Sequence, residues 1–331
     1  MKAELSLLVI LFISLNGGLV LASDGDRSPF YQTCVKRCKN TNCTQDDNFT
    51  PEAINLQDFW SWLLQWGCQD ECRYHCMWRT VDAFVERGYD YPKFHGKALQ
   101  WPFTRLLGVQ EPASAFASLL NLAAHLYMHH EMATQFSVKS TPLLPFWHGF
   151  ALVCENAWMW SIIFHTRDTP FTEFMDYACA LSMVMALLAA AVVRVFHGRK
   201  KQGPLTLLLM LVCYYAMHVR YLHAGRVDYG YNMLVNVVCG VSGGLLWTLW
   251  ASIQLIRGRR HPRLVLAFTA WSGAALCLEL LEFPPKAGWD AHALWHLATA
   301  PLPLLFYRFV IEDLKYLQNE KQSEKLDVKL S

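Results

Sequence analysis

The stretch FMDYACALSMVMALLAAAVVRVF, residues 174–196, is almost wholly apolar and decides the fold class. Its length matches the roughly 20 apolar residues with which an α-helix crosses a lipid bilayer. Six more apolar segments of comparable length follow residue 110, at 112–130, 143–165, 204–223, 231–256, 264–282 and 291–310. The sequence therefore predicts an all-α membrane protein with seven transmembrane helices.

Composition agrees with this fold class. Of the 331 residues, 53% are apolar and 17% are charged, whereas charged residues make up about a quarter of a typical soluble domain. The formal net charge of +2 is too small to indicate binding to nucleic acid. We therefore expect a membrane-embedded chain without a nucleic-acid partner.

The N-terminus has the features of a secretory signal peptide. Met1 and Lys2 precede a short apolar run at 5–13, and small residues end at Ala22. A polar stretch, 23–26, follows directly, which favours cleavage after Ala22 over retention as an uncleaved signal anchor. The predicted organisation is a signal peptide at 1–22, a Cys-rich lumenal domain at 23–110, a seven-helix transmembrane domain at 111–310 and a cytosolic tail at 311–331.

Cysteines are concentrated in the predicted lumenal domain, where six precede the first long apolar segment: Cys34, Cys38, Cys43, Cys68, Cys72 and Cys76. An even number of cysteines in a translocated segment predicts disulfides, here three with 15 possible pairings. A zinc ribbon is the alternative, but the C-x3-C and C-x4-C spacings differ from paired C-x2-C. Two glycosylation sequons, at Asn42 and Asn48, also require a lumenal or extracellular location.

Lysine and arginine counts in the loops predict the orientation. With a lumenal N-terminus, the connecting loops on the cytosolic side carry eight basic residues and the lumenal ones carry four. The eight are Lys139, Arg199, Lys200, Lys201, Arg257, Arg259, Arg260 and Arg263, and the four are Arg167, Arg220, Arg226 and Lys286. Because cytosolic loops are enriched in Lys and Arg, the N-terminus is predicted to be lumenal and the C-terminus cytosolic.

Polar side chains recur at the lumenal ends of three predicted helices. Ser161 and His165 lie four residues apart at the end of the second helix, so they share one helical face. Asp176 opens the third helix, and His292 and His296 lie four apart at the start of the seventh. Three imidazoles at one membrane level can bind a tetrahedral Zn²⁺ and leave its fourth position to water, as in catalytic zinc sites.

In this hypothesis the metal ligands are His165, His292 and His296, and the catalytic residues are Ser161 and Asp176. Asp176 orients the water or takes its proton, and Ser161 donates a hydrogen bond to the developing oxyanion or holds the water. A nucleophilic Ser161 is the weaker alternative, because the metal already supplies a nucleophile.

Other polar residues in the apolar segments have simpler explanations. His125 and His129 also lie four apart, but at the cytosolic end of the first helix, across the bilayer from the zinc ligands. Glu111 comes just before the first helix and is expected to stabilise its N-terminus through the helix dipole. Glu279 and Glu282, near the lumenal end of the sixth helix, are candidates to line a polar cavity.

Several longer motifs resemble one known family. The strings NAWMWSIIFHTRDT at 156–169 and DAHALWH at 290–296 closely resemble the family named post-GPI attachment to proteins factor 3. Further similar motifs are CMW at 76–78, FHGK at 94–97, EPAS at 111–114, RVDYGYN at 226–232 and EFPP at 282–285. The wider group, with the alkaline ceramidases and progestin/adipoQ receptors, shares an S-x3-H, Asp and H-x3-H pattern that falls here on Ser161, His165, Asp176, His292 and His296.

The resemblance implies a function that spacing alone does not give. It implies a zinc-dependent hydrolase of the Golgi membrane that acts on GPI-anchored proteins. The reaction it implies is removal of the unsaturated acyl chain from the sn-2 position of the phosphatidylinositol. Two alternatives remain open, an amide hydrolase similar to the ceramidases and a non-enzymatic seven-helix lipid receptor.

Overall fold

A computed structural model describes residues 23–94, 101–198, 202–224, 229–281 and 283–330. The predicted signal peptide at 1–22 and Glu282 lie outside the described residues, as do parts of the motifs at 94–97, 226–232 and 282–285. In these ranges all regular secondary structure is helical. The chain divides into two compact units, Met1–Gly108 with Arg226–Met233, and Val109–Gly225 with Leu234–Ser331.

The first unit contains four short or medium helices in its described part before Gly108. They are α1 (Asp24–Arg27), α2 (Pro29–Asn42), α3 (Phe59–Leu63) and α4 (Cys68–Glu86), with a 3₁₀ turn at Ile54–Leu56. α2 and α4 pack on a small apolar core, in which Tyr31 meets Phe94 edge-on with ring centroids 5.3 Å apart. A core of this size contributes limited stability, so covalent crosslinks matter here.

Three nested disulfides join α2 to α4. The pairs are Cys34–Cys76, Cys38–Cys72 and Cys43–Cys68. Spacings close to one helical turn place the cysteines of each helix on one face, so the two antiparallel helices meet along a line of crosslinks. One of the 15 pairings that the sequence allows is thereby selected, and none of the six thiols remains for a zinc ribbon.

The two sequons differ in accessibility. Asn48 is exposed in the loop that follows α2. Asn42 is half-buried at the end of α2, and its side-chain amide donates to Cys38 Sγ at 3.4 Å. Since glycan attachment needs a free amide, Asn48 is the better placed of the two predicted sites.

The remaining helices follow the predicted apolar segments. They are α5 (Pro112–Gln135), α6 (Leu144–Thr166), α7 (Pro170–Val195), α8 (Gln202–His223), α9 (Tyr229–Ile256), α10 (Arg263–Glu279), α11 (Ala291–Thr299) and α12 (Leu302–Leu330). The seventh segment, expected as one helix at 291–310, is divided between α11 and α12. Pro301 at this break has no backbone N–H with which to continue the helix.

The segment predicted as a cytosolic tail is largely helical in the structure. α12 continues through most of residues 311–331, and Ile311, Leu314 and Leu317 are buried on one helical face. Their spacing of three residues forms an apolar stripe that packs inward. The first turns of the predicted tail therefore belong to the folded core.

Within the described residues, four of the apolar stretches are long and apolar enough to cross a membrane. They are α7, α8, α9 and the stretch Ala291–Ser323, which contains α11 and most of α12. α10 has 17 residues, fewer than the roughly 20 that span a bilayer, and α5 and α6 carry more polar side chains. The helices therefore fit a multi-pass membrane protein, with four of the seven predicted spans meeting these requirements.

Aromatic rings hold the core of the second unit together. The Phe306 ring of α12 lies 5.9 Å from Trp147 of α6, 6.0 Å from Trp247 of α9 and 4.8 Å from Phe268 of α10, between centroids. The two tryptophan contacts are edge-to-face and the Phe268 contact is tilted, and such contacts add to the gain from burial of the rings. One side chain thus fixes α12 against three other helices.

A buried ion pair ties α7 to α12. Arg194 donates to the Asp313 carboxylate through Nε at 2.5 Å and through Nη2 at 2.8 Å. His261 Nε2 lies 3.0 Å from the same carboxylate, and Asp313 is fully buried. Such a bidentate pair is strongly directional, and loss of one partner leaves the other charge buried without compensation.

Replacing Asp313 with Ala is expected to lower the free energy of unfolding by about 3–5 kcal/mol, because Arg194 would remain as an unpaired buried cation. The matched control is Glu320→Ala, which breaks the half-exposed Arg259–Glu320 pair, 3.4 Å long, at a cost of about 1 kcal/mol or less. The measurement is denaturant unfolding of the purified full-length protein in detergent. Equal losses in the two variants would contradict a structural role for the buried pair.

Candidate metal centre

Three imidazoles converge in the second unit. Nε2 of His296 lies 3.2 Å from Nε2 of His165 and 2.9 Å from Nε2 of His292. The three candidate ligand atoms all lie within 4.8 Å of one another. In a tetrahedral zinc site with bonds of about 2.0–2.1 Å, two ligand nitrogens are about 3.3–3.4 Å apart. The two distances from His296 are close to this value, and the third pair lies within reach of the same ion, so the trio can bind a single ion.

Helix ends place these rings. His165 lies in the last turn of α6, and His292 and His296 share one face of the short helix α11. α11 begins after Asp290, whose Oδ1 accepts a hydrogen bond from the backbone N–H of Ala293 at 2.8 Å. This N-terminal cap fixes where the helix starts and hence which face carries the two histidines.

Two carboxylates contact the rings at Nδ1, on the side away from the Nε2 atoms that converge. Oε2 of Glu111 lies 2.8 Å from Nδ1 of His165, and Oε2 of Glu279 lies 2.8 Å from Nδ1 of His292. The backbone N–H of Glu111 also donates to the carbonyl of His165 at 2.9 Å, so the two residues are held together twice. Carboxylates in this position fix the orientation of histidine ligands and raise their basicity.

The same contacts decide which ring nitrogens carry protons. A carboxylate accepts, so Nδ1 of His165 and Nδ1 of His292 donate, and Nε2 of each neutral ring then carries a lone pair. Both lone pairs face Nε2 of His296, which can donate to only one of them. A cation among the three nitrogens satisfies all of them, and imidazole nitrogen is a ligand that zinc prefers.

The structure corrects the expected roles of two glutamates. Glu111 precedes α5, but its side chain makes no capping hydrogen bond there and contacts His165 instead. Glu279, predicted with Glu282 to line a polar cavity, contacts His292. The available signal was that these carboxylates lie at the predicted membrane level of the histidines, where histidine ligands need acceptors for Nδ1.

The two predicted catalytic residues lie beside the imidazoles. Ser161 is buried one turn before His165. Its Oγ lies 3.1 Å from Oγ of Ser118 in α5, and the carboxylate of Asp176 in α7 lies near the same hydroxyl. Asp176 is close enough to His165 and His292 to interact with both electrostatically. The structure thus brings all five residues of the predicted site into one cluster.

Asn121 of α5 is a buried positioning residue that no sequence pattern indicated. Its Nδ2 donates to the backbone carbonyl of His296 at 2.7 Å, and Oγ1 of Thr299 donates to the same carbonyl at 2.9 Å. This carbonyl is available because α11 ends nearby, where the N–H of Ala300 donates to Leu297 instead. Two side chains therefore hold the backbone that carries the central imidazole.

The other histidine pair has different partners. Nδ1 of His129 lies 2.8 Å from Glu155 Oε1, and its Nε2 lies 2.9 Å from Nδ1 of His148. His125 Nδ1 lies 3.3 Å from the hydroxyl of Tyr307. Side-chain hydrogen bonds between α5, α6 and α12 account for these two histidines.

Comparison with known proteins identifies the family. Residues 59–314, which include the whole cluster, match the model of the Per1-like family. The chain belongs to the Per1-like family. This finding confirms the resemblance predicted from the sequence motifs.

Per1-like relatives match over nearly the whole chain. The chain is 43% identical to "Post-GPI attachment to proteins factor 3" of Drosophila melanogaster, over 93% of this chain and 94% of the relative. It is 42% identical to "GPI-specific phospholipase A2-like PGAP3" of Xenopus tropicalis, over 96% and 99%, and 40% identical to the Homo sapiens protein of that name, over 95% and 98%. No solved structure matches the chain.

In this Per1-like protein, Glu111→Gln is expected to weaken zinc binding about 10- to 100-fold, because an amide is a poorer acceptor for Nδ1–H of His165. The measurement is zinc retained by purified full-length protein against a graded chelator, with the His165→Ala/His296→Ala variant as the reference for complete loss. The matched control is Glu155→Gln, which removes a carboxylate at the same 2.8 Å from His129. Unchanged retention in Glu111→Gln would contradict the orienting role.

Proposed function

We propose that the protein is a GPI-specific phospholipase of the Golgi membrane. It removes the unsaturated sn-2 acyl chain from the phosphatidylinositol of GPI-anchored proteins by zinc-dependent ester hydrolysis. The observation that carries the proposal is the cluster of three Nε2 atoms backed by two carboxylates. It occurs in a chain whose relatives are named as GPI-specific phospholipase A2-like proteins.

The proposed membrane arrangement has seven spans, α5 to α10 and the α11–α12 pair, with a lumenal N-terminus and a cytosolic C-terminus. In this topology the end of α6, the start of α7 and the start of α11 lie on the lumenal side. The His165 and His292 rings lie 5.2 Å apart between centroids, and Asp176 is close enough to interact electrostatically with both. This proximity supports the topology, because the three residues come from those three helix ends. The lumenal leaflet is also where GPI anchors reside.

His165, His292 and His296 would hold the zinc ion. A bound zinc ion would polarise the ester carbonyl and make water nucleophilic at neutral pH. Glu111 and Glu279 keep the Nδ1 protons of His165 and His292, so that Nε2 of each ring stays available as a ligand. Asn121 holds the backbone of His296 so that its ring stays between the other two.

Unequal burial of the ligands indicates how the ester approaches. His165 and His296 are buried, whereas the side chain of His292 is 35% exposed. The cluster therefore opens on the side of His292. We expect an acyl ester to enter from this side, because Ser161 and the other two ligands are buried.

Asp176 and Ser161 are assigned complementary roles. Asp176 accepts the proton of the water that attacks the acyl carbon, and returns it to the glycerol oxygen as the ester C–O bond breaks, which gives the hydroxyl of the lyso-lipid and a free fatty acid; it acts as a general base and then as a general acid. Ser161 donates its hydroxyl proton toward the ester oxygen on which negative charge develops. The contact with Ser118 holds the Ser161 hydroxyl in place at 3.1 Å.

The two alternatives make different demands on these residues. A receptor with a structural metal needs the three imidazoles but does not require a serine hydroxyl and a carboxylate beside them, as Ser161 and Asp176 provide. An amide hydrolase needs the same residues as an esterase. The names of the relatives favour a GPI phospholipid over ceramide as the substrate.

The His292→Ala variant is expected to fold but to leave unsaturated sn-2 chains on GPI-anchored proteins, since one metal ligand is lost. The measurement is lipid mass spectrometry of GPI anchors from cells that carry only this variant. His148→Ala, a histidine of the other cluster, is the control and should support normal remodelling. Normal GPI anchors in cells that carry only His292→Ala would contradict the assignment of this residue to GPI-lipid hydrolysis. If ceramide accumulates in the same cells, the protein is an amide hydrolase instead.

Ser161→Ala is expected to lower kcat about 10²- to 10³-fold without loss of zinc, because one hydrogen bond to the developing oxyanion disappears. Ser118→Ala, which removes only the neighbour of Ser161, should have a smaller effect. The measurement is turnover of a GPI lipid by purified protein, with metal content determined in parallel. A covalent acyl adduct on Ser161 in the wild-type protein would instead identify this serine as the nucleophile.

A further inference from the structure

The first unit exposes a concentrated group of large apolar side chains. The exposed residues of α3 and of the segment that ends the unit are Phe59, Trp60, Trp62, Leu63, Leu106 and Leu107, here termed the apolar patch. Single exposed apolar residues are common on protein surfaces, but a contiguous group of large ones marks a contact with a membrane or a partner. Within α3 it is the small polar Ser61 that is buried.

The two parts of the apolar patch are held side by side. Gly108 packs so closely on α3 that a Cβ there would lie 2.9 Å from the carbonyl oxygen of Trp60. Trp66 Nε1 donates to the Gly108 carbonyl at 2.9 Å. Leu107 has a φ of 52°, a left-handed conformation that is unfavourable for leucine. The backbone therefore bears strain in a turn that presents two leucines outward rather than to the core.

The apolar patch is electrically neutral. Residues 59–66 and 106–108 contain no charged side chain. The adjacent cation, Arg105, lies over the Trp66 ring at 3.5 Å from the centroid and pairs with Glu71 at 2.9 Å. This guanidinium is thus engaged within the unit, and the patch suits an apolar contact rather than recognition of a charged group.

Chain connectivity identifies a lipid surface as the occupant. Pro112, the first residue of α5, follows Gly108 by four residues, which span at most about 14 Å when fully extended. If α5 is the first membrane span, Pro112 lies at the bilayer surface. Tryptophan, phenylalanine and leucine are the residues that enter the boundary between headgroups and acyl chains.

We propose that the apolar patch inserts into the membrane interface of the leaflet from which α5 begins, and so anchors the disulfide-linked unit on the lipid. The proposal rests on the proposed function only in that α5 must be a membrane span. Because the patch is neutral, insertion is independent of anionic lipid. The unit thereby remains at the depth at which lipid headgroups are presented.

The test uses full-length protein in phosphatidylcholine nanodiscs with an environment-sensitive fluorescent amino acid at position 62. Lipids that carry a quencher near the headgroup should quench this probe several-fold more than a probe at position 89. Tyr89 is the matched control, because it is aromatic, lies in the same unit and is 64% exposed, against 63% for Trp62. Addition of anionic lipid should leave the difference unchanged.

Equal lipid quenching at positions 62 and 89 would overturn the proposal. Ready quenching of both probes by aqueous iodide would then show that the apolar patch faces water, whereas protection of position 62 from iodide would show that protein covers it. A second measurement uses Phe59→Ser/Trp62→Ser, with Tyr89→Ser as control. The double variant should lose several-fold turnover on GPI lipid in a bilayer and none on detergent-dispersed lipid. The fluorescence measurement does not depend on whether the wild-type protein hydrolyses GPI lipid. Failure of the membrane-insertion proposal can therefore be distinguished from failure of the proposed hydrolase function.

Discussion

The contacts of Glu111 with His165 and of Glu279 with His292 constrain the second unit more than any others. Each joins two helix ends at 2.8 Å, and each directs an imidazole toward the same point. Buried imidazoles and carboxylates are costly to desolvate unless they pair. The ends of α5, α6, α10 and α11 must therefore meet at one level for either pair to be satisfied, and the aromatic contacts of Phe306 hold the other parts of the helices in a compatible arrangement.

The polar cluster is built from helix ends, where backbone N–H and C=O groups have no hydrogen-bond partner within the helix. The first turns of α11 leave N–H groups free for the Asp290 cap, and its last turn leaves the His296 carbonyl free for Asn121. These backbone groups need partners in any case. Polar residues placed there satisfy the helix termini and orient the imidazoles with the same hydrogen bonds.

The sequence predicted what depends on local periodicity. The S-x3-H and H-x3-H spacings identified helical faces, and topology placed them at one level, so the five clustered residues were recognisable. The roles of Glu111, Glu279 and Asn121 beside the histidines were not recognisable. Their partners lie 54, 13 and 175 residues away, and no spacing rule links them. The disulfide pairing was undetermined for the same reason. Pro301 indicated that the seventh segment is divided into two helices. The segment was nevertheless predicted as one helix, because its apolar residues continue without a break.

That division has a mechanical consequence. A continuous helix would transmit any rotation or axial shift of its C-terminal half to His292 and His296. Because α11 and α12 are separate helices, the register of α12 is set by Arg194 and Phe306, whereas that of α11 is set by Asp290 and Asn121. The two ends of this span are thereby decoupled. Changes in bilayer thickness or in the length of α12 can be absorbed at Ala300 and Pro301 while the histidine pair keeps its orientation.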